Sequence, residues 1–122
     1  MVKRIYSYVL IGVGLFVLDG CEDIFVENIS DNSVEIVTPV NGAVLQAGKI
    51  SFVWEELYGA TNYRVVIVSP SFSNIQRYVC DSTLTATQLD FTLSIVGLYE
   101  WSIEAGNFGY KSLKSVSGID IR

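Results

Sequence analysis

The chain has 122 residues, a net charge of −5 and no histidine. The missing histidine excludes Ser-His-Asp and Cys-His catalysis and any histidine-based metal site. Two cysteines are too few for a structural zinc site, and the acidic balance disfavours nucleic acid as a partner.

Lys3 and Arg4 open the chain with positive charge, and an apolar run follows from Ile5 to Leu18, broken by Gly12 and Gly14. The run falls short of the roughly 20 apolar residues that a bilayer core requires. A positive start, a short apolar run and a small residue before a cut site form the pattern of an export signal. Leu18-Asp19-Gly20-Cys21 resembles a bacterial lipobox. That resemblance implies removal of residues 1–20 and a diacylglyceryl group on Cys21, which anchors the chain in the outer membrane of the cell envelope. Asp19 stands where the pattern has a small or apolar residue. Glu22 and Asp23 after the cysteine resemble the export signals of surface lipoproteins in the Bacteroidetes. An uncleaved anchor, export without lipid, and a Cys21–Cys80 disulfide that would exclude lipidation stay open.

Removing residues 1–20 leaves 102, enough for one hydrophobic core. Six basic face twelve acidic side chains there, a net charge of −6. Residues 21–32 are acidic and mostly polar, with one apolar patch at Ile24-Phe25-Val26, and read as a flexible tether. The 11 residues from Glu22 to Asn32 span at most about 36–40 Å when extended.

From Ser33 onward the chain consists of short β-type runs between turn signals. The first, Ser33–Thr38, ends at Pro39 and an Asn41-Gly42 turn. The second, Lys49–Glu55, alternates Ile50, Phe52 and Trp54 onto one face. Tyr63–Ser69 is nearly all apolar and reads as a central strand covered on both sides. Pro70–Asn74 reads as a loop, and Ile75–Asp81 as a more polar run and a candidate exposed edge. Gln88–Leu93 turns Leu89, Phe91 and Leu93 inward. Tyr99–Ala105 does the same with Tyr99, Trp101 and Ile103. Leu113–Ile121 closes the series. Seven such strands predict an all-β, antiparallel sandwich over residues 33–122.

Phe52-Val53-Trp54, Gly59-Ala60-Thr61-Asn62-Tyr63-Arg64-Val65, Gly97-Leu98-Tyr99-Glu100-Trp101 and Ala105-Gly106-Asn107 together resemble an immunoglobulin-like fibronectin type III domain of the kind common in Bacteroidetes lipoproteins. The resemblance implies that Trp54 packs in the core. It also implies that Leu93 and Tyr99 form a tyrosine corner, with Ile95 and Val96 where the family often has proline.

Chemistry is sparse along the chain. Glu55 and Glu56 are adjacent and point to opposite faces of a strand. Glu100 and Glu104 share a face but lie about 13 Å apart at ~3.3 Å per residue, too far for a glycosidase pair. No catalytic residue, cofactor or metal ligand is identified. Loop aromatics are the binding candidates. Tyr58, Phe108 and Tyr110 lie in two loops that share one pole in this topology, the pole at which the tether joins. Phe72 lies at the opposite pole. The expectation is a non-catalytic binding module anchored through Cys21 and directed at an envelope protein or glycan. A small carboxylate-dependent hydrolase using Glu100 or Glu104, and a structural spacer, are the alternatives.

Overall fold

The computed structural model describes residues 26–122, so the expectations for Cys21 and for the signal before it lie outside the described residues. Eight strands form: β1 (Ile36–Thr38), β2 (Ala43–Leu45), β3 (Gly48–Trp54), β4 (Asn62–Ser71), β5 (Asn74–Leu84), β6 (Gln88–Leu93), β7 (Gly97–Gly106) and β8 (Ser115–Ile121). They build two sheets, in the orders β1-β3-β6 and β2-β8-β7-β4-β5. The all-β sandwich predicted by the alternating runs is the fold observed.

Alternation explains why these runs become strands and which sheet face closes on the other. In β3 and β6 the register sets Phe52 opposite Leu89 and Ile50 opposite Phe91. In β4 and β7 it sets Tyr63 opposite Ala105, Val65 opposite Ile103 and Ile67 opposite Trp101. These inner faces meet in one cluster that includes Phe52, Trp54, Trp101, Ile119 and Ile121. The rings of Phe52 and Trp101 meet edge to face, with centroids 4.9 Å apart at 73°. Each large apolar side chain sealed here contributes about 1.5–3 kcal/mol.

The tyrosine corner forms. The Tyr99 hydroxyl donates to the Ile95 carbonyl at 2.6 Å, and Leu93 is buried beside it in the core. Ile95 and Val96 close the corner without proline, and both remain exposed.

Four features differ from the sequence expectations. First, the packed domain begins before Ser33. Ile29 is fully buried in the core. The Asn32 N–H donates to the Ile29 carbonyl, and the Leu113 N–H donates to the Asn32 carbonyl. Residues 26–32 are therefore part of the sandwich and not tether. Their one inward apolar residue has no periodic partner in sequence to announce it.

Second, there is an eighth strand. After Pro39 the Asn41-Gly42 turn carries the chain from the first sheet to the second, where β2 pairs with β8 in parallel. The turn is tied down by the Gly118 N–H donating to Asn41 Oδ1 at 2.7 Å and the Gly42 N–H donating to the Gly118 carbonyl at 2.8 Å. A strand of three residues is too short to show a period.

Third, β4 and β5 continue into a tight hairpin, with Ser71 paired to Asn74. The expected loop Pro70–Asn74 shrinks to the turn at Phe72 and Ser73. Fourth, β4 is central in its sheet, but its outer face is only partly covered: Val68 is sealed while Arg64 is exposed. β5, as expected of a polar run, lies at the edge of the five-stranded sheet.

Candidate functional site

The β3–β4 and β7–β8 loops stand at one pole, and the N-terminal segment enters beside them. Asn107 holds the three together. Its Nδ2 donates to the carbonyls of Glu27 at 2.8 Å and Gly59 at 2.9 Å. Its Oδ1 accepts from the N–H groups of Gly109 and Tyr110. One amide thus shapes its own turn and staples two distant segments to it. Gly59 completes the junction with φ +90°, and a Cβ there would sit 2.7 Å from Glu27 Cβ. Only glycine fits that approach. On the other side of the loop, the Leu57 N–H donates to the Tyr63 hydroxyl at 3.0 Å.

This junction leaves an open groove of about 520 Å³ lined by Val26, Glu27, Asn28, Tyr58, Gly59, Thr61, Asn107 and Phe108. Tyr58 is 82% and Phe108 93% exposed. The structure therefore brings two of the three predicted rings to one site. Tyr110 is 37% exposed and does not line the groove. Phe72, at the opposite pole, is half-buried in its hairpin turn, and its N–H donates to Glu100 Oε1 at 2.8 Å. It does not project outward as a lone aromatic.

Several of the groove's polar atoms are already committed within the protein. Asn107 uses both ends of its amide internally. Asn28 Oδ1 accepts from the Ser30 N–H and hydroxyl. The Thr61 hydroxyl donates to the Gly106 carbonyl and accepts from Asn62 Nδ2. What the groove offers outward is chiefly two ring faces, beside the exposed carboxylate of Glu27. The pole's exposed charges are mostly negative: Glu27, Asp31, Glu55 and Glu56 against Lys111 and Lys114.

The titratable groups with displaced pKa values lie elsewhere, on the sheet faces. Arg64 donates to both carboxylate oxygens of Asp81, at 2.9 and 2.8 Å, and this hydrogen bonding holds Asp81 below the usual carboxylate range. Hydrogen bonds from Gln88 and then Ser51 do the same for Asp90. Both are cross-strand or same-strand surface interactions. Glu104 lies opposite Arg64, and Glu100 opposite Val68 on one side and Gly118 on the other, so neither has a carboxylate directly across from it. Cys80 sits half-buried on β5, with its sulfur 3.5 Å from the Ser82 hydroxyl. Among the described residues no group of three or more Asp, Glu and Cys gathers to hold a metal ion.

Asn107, the organising residue of the site, is not among the binding candidates that the sequence suggests. An asparagine opening an Asn-Phe-Gly turn already has a local explanation in turn chemistry, and its partners lie 48 and 80 residues away.

No family profile and no curated protein sequence matches the chain. Solved structures do. The crystal structure of FN3tt is 21% identical with a TM-score of 0.51, over 73% of this chain and 86% of that one. A mutant form of FN3tt scores 0.50 at 21% identity, over 74% and 90%. The PKD domain of human KIAA0319 scores 0.50 at 10% identity, over 77% and 85%. The fold is thus the immunoglobulin-like sandwich of fibronectin type III domains. At these identities the likeness extends to fold alone, and a fold of this kind hosts many roles.

Proposed function

We propose that the chain is a lipid-anchored accessory module of the cell envelope, exported, acylated at Cys21 and acting by non-covalent contact without catalysis. The lipobox-like Leu18-Asp19-Gly20-Cys21 and the acidic pair after it support the anchor and the likeness to Bacteroidetes surface lipoproteins. The groove between Tyr58 and Phe108 is its contact surface toward a neighbouring envelope component, protein and glycan included. The acidic surface turns it away from nucleic acid.

One observation carries this reading: the two most exposed large rings of the sandwich, at 82% and 93%, stand on the same groove. Exposed apolar groups gathered in this way mark contact surfaces, whereas scattered ones do not. Of the carboxylates of the rival hydrolase reading, Glu100 accepts from the Phe72 N–H, and Glu104 has Arg64 rather than a second carboxylate directly across from it.

A photo-crosslinking residue placed at position 108 in the native host tests the proposal. It is expected to join the protein to envelope material far more than the same residue at exposed Lys49 on β3. Equal crosslinking at the two positions contradicts the assignment of the groove. Turnover on a glycan or ester panel that vanishes in Glu100→Gln or Glu104→Gln contradicts the non-catalytic role.

A further inference from the structure

We infer that the component met by the Tyr58–Phe108 groove is the headgroup layer of the bilayer that carries the anchor. This rests on the lipid-anchor reading above and names the partner of that same site. Three observations lead to it. The first is reach. Val26 lines the groove itself, and it follows Cys21 by five residues. Five residues span at most about 16–18 Å, whereas the ten residues of β7 separate the two poles by about 33 Å at ~3.3 Å each. With residues 26–32 packed into the domain, the anchor holds the aromatic pole next to the lipid and leaves the Ile95–Val96 pole the farther one.

The second observation is the chemistry of the rim. Tyrosine rings lodge at the membrane–water interface with an apolar body inward and a hydroxyl in the wet layer, and phenylalanine is one of the side chains that interfacial elements bury at the boundary of headgroups and acyl chains. Tyr58 and Phe108 present such surfaces without unfolding anything. The third is the committed floor. Asn107, Thr61 and the oxygen of Asn28 already bond within the protein. The groups left for a glycan to read by hydrogen bonds are the Tyr58 hydroxyl, the amide nitrogen of Asn28 and the Glu27 carboxylate, whereas a lipid surface needs only the rings. The negative charges at this pole specify a neutral or zwitterionic layer, because an anionic one repels them.

The test uses the full lipidated protein, purified from host membranes and reconstituted into phosphatidylcholine vesicles carrying brominated acyl chains. Phe108→Trp places a reporter at a 93% exposed position, and Val96→Trp places one at the opposite pole, 63% exposed. The native Trp54 and Trp101 are buried and give a constant background. The expected result is a blue shift and at least twofold quenching at position 108, with position 96 unchanged, and a weaker effect when anionic lipid is mixed in. A vesicle-bound protein whose position 108 stays water-like, or whose two reporters are quenched equally, overturns the docking while leaving the anchor intact. Loss of the vesicle signal at position 108 on adding an envelope glycan or protein overturns it in favour of that ligand. An intact mass without lipid ends both readings.

Discussion

Asn107 concentrates more of this molecule's organisation than any other polar side chain at its pole. It makes four hydrogen bonds, two to carbonyls far along the chain and two within its own turn. At about 1 kcal/mol net each, Asn107→Ala is expected to cost about 2–4 kcal/mol in urea unfolding. A variant as stable as the parent would remove the staple from the account. Asp81 gives a second residue-level prediction. Its carboxylate is held below the ordinary value by Arg64, so the pair stabilises the fold at neutral pH. That contribution is lost as pH falls through the depressed folded value, below about pH 4. Both partners are over 40% exposed, which limits the effect to about 0.2–1 kcal/mol. The urea midpoints of the parent and Asp81→Asn should differ at pH 7 and converge from pH 4 downward. A gap that widens in acid would have the wrong sign.

At the scale of the element, the N-terminal segment carries the sharpest test. Ile29 is fully buried under the sandwich, and Ile29→Ala is expected to cost about 2–5 kcal/mol. A tether residue would cost nothing, so an unchanged denaturation midpoint would return residues 26–32 to a tether. The contrast between this segment and β3, β6 and β7 shows what the sequence makes legible. Alternation in Ile50-Phe52-Trp54, Leu89-Phe91-Leu93 and Tyr99-Trp101-Ile103 identifies strands and their inner faces, because one buried face imposes a period of two. Ile29 is a single apolar residue among polar neighbours, and β2 is three residues long. Neither can display a period, and both owe their structure to partners distant in sequence. The Phe72 turn was hidden for a related reason. A Pro-Ser-Phe-Ser-Asn string reads as a loop, yet the pairing of Ser71 with Asn74 extends two strands through it.

Across the whole molecule, the position of the candidate site follows from topology. The sandwich topology expected from the sequence places the loop after the second run and the loop after the sixth at the same end, so Tyr58 and Phe108 could be placed at one pole from the sequence, even though β3 and β4 lie in different sheets. The floor beneath them could not, because it is made of contacts spanning 48 to 80 residues. The chain's function belongs to this scale too. On the lipid-anchor proposal, Val26 on the groove lies five residues from Cys21, so the aromatic pole would be the one nearest the anchor. Removing both rings in Tyr58→Ala/Phe108→Ala should leave the unfolding free energy from urea titration within about 0.5 kcal/mol of the parent, as exposed positions do, while abolishing contacts made through the groove. A large loss of stability would mean that the rings belong to the fold.

The intact mass of the protein taken from its host's membrane fraction decides whether Cys21 carries the anchor. The expected species is a chain that begins at Cys21 and is heavier by a diacylglyceryl group, with or without a further acyl chain. An unmodified chain that retains residues 1–20, or one cut elsewhere with Cys21 bonded to Cys80, would contradict it.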